Sequence, residues 1–134
     1  MAGSKSDYLE SKILDHVIGG GDYTRPATVY AALYTVAPTD TGGGTEATGG
    51  DYARVAITNN STNFPAASSG AKSNGAEITF PEATGDWGTV LAFGLFDAST
   101  SGNLLYWGDL TVNRSILTGI TPKFAIGDLD ITES

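Results

Sequence analysis

Fifteen carboxylates, one histidine and the Gly42-Gly43-Gly44 run are the features of this 134-residue chain whose types could support chemistry. Two carboxylates facing each other across a cleft, one with a raised pKa, would make a glycosidase-type acid–base pair. Asp86, Asp97 and Asp109 instead fall where turns or strand ends are expected, positions Asp favours because its side chain bonds to nearby backbone. Asp128 and Asp130 share one face of an alternating strand, and a third oxygen ligand would complete a calcium site there. An exposed edge face that discourages stray sheet pairing explains them better. His16 lies beside Asp15 and Val17 on a helical stretch, and it reads as solvent-facing or packed rather than catalytic. The chain holds no GxSxG elbow and no GxxxxGK(S/T) loop, and Gly42-Gly43-Gly44 neither follows a strand nor opens a helix. With no cysteine, disulfides and thiolate metal sites are excluded. No enzymatic group and no cofactor is expected.

Charge narrows the partners. The net charge is −8, and the seven basic residues are scattered singly, whereas phosphate binding needs them clustered. Nucleic acid is therefore not an expected partner. No segment approaches ~20 consecutive apolar residues, so no membrane span is expected. The first residues also lack the basic region and apolar run of a signal peptide.

The elements that would position any site are mostly strands. Residues 86–110 hold both tryptophans and the densest apolar run, and they read as a β-hairpin turning at residues 97–103. Val90, Ala92, Gly94 and Phe96 alternate with Leu91, Phe93 and Leu95, so both faces of the first strand are apolar and its burial on both sides is predicted. Residues 1–6 are read as a flexible lead. A capping box at Asp7 and Glu10 then opens a helix over residues 7–18, which Gly19-Gly20-Gly21 ends. Its apolar stripe, Leu9, Ile13 and Val17, must dock on the chain itself or on another subunit. Alternation predicts strands over residues 28–35 and 52–58, shorter ones near 76–80, 111–116 and 122–126, and a last one over 128–132. Residues 38–50 and 59–74 read as long polar loops, the first of them mobile. The sum is a single all-β domain over residues 1–134, with a two-sheet β-sandwich of the jelly-roll kind over 28–132 and one short N-terminal α-helix.

Tyrosine placement is the remaining clue. Tyr30, Tyr34 and Tyr52, with Arg54, are assigned to one sheet face, and Tyr and Arg are the usual residues of protein-contact hot spots. A flat aromatic face beside two Gly/Ser/Thr-rich loops points to contact rather than turnover. Exposure of Trp87 or Trp107 would instead suggest a carbohydrate-binding sandwich, in which aromatics form a sugar platform.

Four stretches carry a family resemblance: SDYLESKILDHVIGGG, ATVYAALYTVAPTDTGGGTE, GGDYARVAIT and ITFPEATGDWGTVLAFGLFDASTSGNLLYWGDLT. Together they resemble a family of small tailed-bacteriophage virion proteins, often labelled tail-fibre proteins, which is also similar to phage capsid cement or decoration proteins. The resemblance runs from about Ser6 to Ile131, with Tyr30 to Tyr34, Tyr52-Ala53-Arg54 and Asp86-Trp87-Gly88 as landmarks. It implies a structural protein made in the host cytoplasm and bound to the outside of the phage head, where it would bridge major capsid subunits as a homodimer or homotrimer. Tyr8, Leu9, Ile13, Tyr30, Tyr34, Tyr52 and Arg54, with the Gly-rich loop at residues 39–50, are then the expected contact surface. A tail-fibre or tail-associated role is the alternative within the virion.

Overall fold

A computed structural model describes residues 3–132 and gives the order β1 (Gly3–Lys5), α1 (Asp7–Val17), β2 (Thr28–Val36), β3 (Thr45–Glu46), β4 (Val55–Thr58), β5 (Ala71–Ser73), β6 (Ile78–Thr79), β7 (Gly88–Phe96), β8 (Leu104–Ile116), β9 (Lys123–Phe124) and β10 (Asp130–Thr132). The apolar run forms the predicted hairpin: β7 and β8 pair antiparallel around the polar turn at residues 97–103. They sit inside a six-stranded sheet of order β1-β8-β7-β2-β3, with β4 also on β2. β8 is longer than expected. The predicted strands 104–110 and 111–116 are one element, with a bulge between them where Ala92 pairs with Asp109 and Val90 with Arg114.

Burial on both faces of β7 follows from its two apolar parities. On one face Val29, Leu33, Phe93, Leu95 and Leu105 form the main core. Phe93 meets Phe124 edge-on with ring centroids 6.1 Å apart, and Phe80 lies 6.3 Å from Phe124. These rings attach the ribbon β6–β9 to the sheet, while Leu129 and Ile131 bring the β5–β10 side into the same core, each large buried side chain contributing about 1.5–3 kcal/mol by leaving water. The sandwich expectation holds in a form less regular than a jelly roll: one broad sheet is faced by two short ribbons and the helix. Asn74, 2% exposed, fastens the ribbon side. Its side-chain amide donates to the Ala76 and Ala125 carbonyls, and its side-chain oxygen accepts from the Leu129 N–H.

Two N-terminal expectations need correction. Residues 3–5 are not loose lead: they form β1 and pair with Tyr106, Trp107 and Gly108 of β8, while residues 1–2 lie outside the described residues. The helix cap is Ser6 rather than Asp7. The Ser6 hydroxyl accepts from the Leu9 N–H at 3.2 Å and donates to the Leu104 carbonyl, so the cap is also a tie to β8. The stripe docks in cis through Leu9 and Ile13, whereas Leu14, Val17 and Ile18 are 62–76% exposed.

The loop at residues 38–50 is likewise anchored. Gly42, Gly43 and Gly44 all take positive φ, and a Cβ on Gly44 would lie 2.6 Å from the Val36 carbonyl oxygen, so only glycine permits the reversal that returns β3 to β2. β3 and β5 fall in the two stretches read as loops, because neither Thr45-Glu46 nor Ala71-Lys72-Ser73 carries an apolar period.

Candidate functional site

The second face of the sheet carries small residues under large ones. Ala32 and Ala92 are fully buried beneath Tyr30, Tyr34, Leu91, Phe96, Leu104 and Trp107. Gly94 lies at the centre of this face. A Cβ there would sit 2.9 Å from Tyr34 Cε1, 3.1 Å from Leu104 Cδ1 and 3.2 Å from Phe96 Cε1. The absent side chain is the space those three occupy. Tyr34 and Phe96 consequently lie nearly parallel, centroids 6.4 Å apart at 15°.

Arg54 locks this face. Its guanidinium grips the Glu46 carboxylate in a two-pronged pair, Nε to Oε2 at 3.0 Å and Nη2 to Oε1 at 2.9 Å. Nη1 donates to the carbonyls of Ala98 and Ser101 in the hairpin turn, each at 2.9 Å, and the guanidinium carbon stands 3.6 Å from the centroid of Phe96. Only 7% of the Arg54 side chain remains exposed. Burial works against its charge, but the Glu46 hydrogen bonds and carboxylate more than offset that and raise its pKa. Tyr52 completes the network from the core side: its hydroxyl accepts from the Leu33 N–H at 3.1 Å and donates to Glu46 at 2.7 Å, while its ring meets Trp87 edge-on. Burial and the Glu46 bond push the Tyr52 pKa up.

Beside this lock lies a cleft of about 620 Å³. Tyr34, Phe96 and Leu104 line it together with Tyr8 and Asp7 at the helix start, residues 40–44 of the Gly-rich loop, Glu46, Arg54, and residues 101–103 of the hairpin turn. The loop wall is held by Asp40, whose Oδ1 accepts from Trp107 Nε1 at 2.9 Å and whose carbonyl accepts from the Asp7 N–H. Tyr34 is 4% exposed, and its hydroxyl makes no hydrogen bond within the described residues. Burial, then the Glu46 charge, push its pKa up to about 12, so it is a neutral O–H at ordinary pH.

The cleft thus gathers Tyr8, Tyr34 and Arg54 with the Gly-rich loop, as a partly enclosed hollow rather than a flat contact face. Tyr30 is half-buried on the same sheet face outside the cleft, and Tyr52 points to the opposite side. Leu9 and Ile13 line a separate groove of about 850 Å³ under the helix, with His16, Tyr23, Arg25 and Lys72 on it. His16 Nδ1 accepts the Tyr23 N–H there. Sequence reading missed Asp40 and Glu46. The Glu46/Arg54 pairing had a signal in opposite charges placed on either side of a Gly-Gly turn, but Asp40 had none.

Asp86 and Asp97 serve the turns they sit in. Asp86 accepts from the Thr118 N–H and hydroxyl, and Asp97 from the Asn103 N–H and side-chain amide. Among the described residues no group of three or more His, Asp or Glu side chains comes together to hold a metal. Trp87 is 3% exposed and bonds through Nε1 to the Gly50 carbonyl, and Trp107 is half-buried and bonded to Asp40, so neither offers a free platform. No helix among the described residues is long and apolar enough to cross a membrane.

A protein-family model described as podophage GP4 fiber I protein gp80 matches residues 4–132. No curated protein matches the chain.

Proposed function

Because the chain belongs to this podophage fibre family, we propose that it is a fibre or tail-associated structural component of the phage particle, working through contacts rather than turnover. The observation that carries this reading is the extent of the match: it spans every element from β1 to β10. The family is one of phage virion structural proteins, and its fibre description favours a tail position over the cement role on the head exterior. The locked sheet face supports a contact role, since it holds two loops in fixed positions around a cleft. The exposed helix end, Leu14, Val17 and Ile18, provides apolar surface for neighbouring subunits.

Gold-labelled antibody against the chain, viewed on intact particles by electron microscopy, tests the position. Label on tail appendages is the expected result. Label spread regularly over the head would return the protein to the cement role, and unlabelled particles would remove it from the virion.

A further inference from the structure

We propose that Asn74-Gly75 is a site of spontaneous deamidation that the fold keeps silent, reacting only when the segment leading into β10 lifts away. It is the only Asn-Gly step in the chain. In an open chain this step is the least durable of the asparagine steps, because glycine has no side chain to hinder attack by its own nitrogen. The Gly75 nitrogen gives its proton to a solvent base and bonds to Asn74 Cγ, and the side-chain nitrogen leaves as ammonia. Water then opens the resulting succinimide at either carbonyl, leaving aspartate or isoaspartate at position 74.

The structure needs both residues. A Cβ on Gly75 would lie 2.5 Å from the Thr62 carbonyl oxygen and 2.7 Å from the Pro65 ring. Asn74 donates twice and accepts once through its side chain, which a carboxylate cannot do. The labile pair is therefore kept and shielded. Asn74 is 2% exposed, and the Gly75 N–H is held by the Asn63 carbonyl at 2.7 Å, away from any solvent base. The side-chain nitrogen is tied to the Ala76 and Ala125 carbonyls at 2.9 and 3.0 Å. The Asn74 carbonyl accepts from the Gly127 N–H, and its backbone N–H donates to the Leu129 carbonyl. Ala125, Gly127 and Leu129 all lie on the one segment that leads into β10, so lifting that segment strips most of the shield at once. Local openings of this size need less free energy than global unfolding. The change is also one-way. A carboxylate at position 74 has no hydrogen for the Ala76 and Ala125 carbonyls, and isoaspartate lengthens the main chain inside a packed corner.

The test holds the full chain at mildly alkaline pH, in buffer or in unfolding guanidinium chloride, and follows each asparagine by tryptic digestion and tandem mass spectrometry. In guanidinium chloride, residue 74 should convert before the other five asparagines. In buffer it should convert at least about fiftyfold more slowly than in guanidinium chloride. Ile131→Ala loosens β10 where it packs on the core, so it should speed conversion in buffer about fivefold or more and leave the unfolded rate unchanged. Gly94→Ala disturbs the other face of the sheet and should speed it less. The proposal is overturned by a smaller difference between buffer and guanidinium chloride, or by another asparagine converting first in the unfolded chain. It is overturned equally if Ile131→Ala leaves the rate in buffer unchanged, or if Gly94→Ala speeds it as much, which would put the gate at global unfolding. Should Ile131→Ala fail to fold, the ratio of the two rates in the unaltered chain still decides.

Discussion

Replacing Arg54 with alanine removes more than an ion pair, and the structure sets how much more. The guanidinium makes two bonds to Glu46 and one each to the Ala98 and Ser101 carbonyls, and it covers the ring of Phe96. Breaking a buried pair by deleting one partner costs about 3–5 kcal/mol. The Glu46 side chain is 26% exposed, so water can rehydrate part of it, and Tyr52 still donates to it. That brings the pair's share towards the lower end of the range. The two turn carbonyls, near the surface, lose about 0.5 kcal/mol each, and the stacked ring about 1 kcal/mol. These contributions overlap, so Arg54→Ala is expected to cost about 3 kcal/mol, or roughly 12 °C in Tm. Arg54→Lys keeps the charge but not the fork and should lose about half as much. Urea unfolding followed by tryptophan fluorescence measures both, and a double-mutant cycle with Glu46→Ala should return about 2 kcal/mol of coupling. A loss below about 1 kcal/mol for Arg54→Ala, or no coupling, would falsify the claim that this guanidinium holds the second face together.

Gly94→Ala should cost about 1–3 kcal/mol despite alanine's better strand behaviour, because its methyl enters space held by Tyr34, Leu104 and Phe96; a neutral result in the same urea assay would show that those side chains move aside freely. Asn74→Ala strands two carbonyls and the Leu129 N–H and should lose about 3 kcal/mol, with the first proteolytic nick falling in residues 125–129; cleavage elsewhere first would place the weak point outside this hub. Alkaline pH acts through Tyr34, whose folded pKa of about 12 exceeds the unfolded value near 10. The unfolded state then loses its proton first, so the stability present below pH 10 drains away between pH 10 and 12, by on the order of 2 kcal/mol. Absorbance at alkaline pH should show some of the six tyrosines resisting ionisation until unfolding, and reversible titration of all six near pH 10 would contradict this.

Legibility in the sequence followed the range of the interactions. The hairpin turn at residues 97–103, the parity of β2 and the helix were readable because periodicity and turn chemistry act between near neighbours. β1 was not, since Gly3-Ser4-Lys5 has no apolar alternation and becomes a strand only when β8, about 100 residues later, supplies its hydrogen bonds. The cap shows the same limit at close quarters: Asp7 and Ser6 both suit an N-cap, and the tie from Ser6 to Leu104 decides between them. The tyrosines were half legible. Alternation put Tyr30 and Tyr34 on one face, but it could not show that Gly94 leaves room for Tyr34 to lie flat or that Tyr52 turns towards Leu33 and Glu46. The cleft draws on the helix start, a loop, four strands and a turn, and no local pattern predicts that convergence.

The tie between Ser6 and β8 also orders events in time. A chain leaving the ribosome presents β1 and the helix cap about 100 residues before their partners at residues 104–108 emerge. Before residues 92–96 emerge, β2 lacks β7 as well, and that edge of its backbone is open to other chains. Closure of such distant pairings makes folding slow, in the millisecond-to-second range of sheet proteins. β1, made before the strand it pairs with, is therefore among the last segments to find its place, and a nascent chain stalled before β8 would be the species most prone to aggregate.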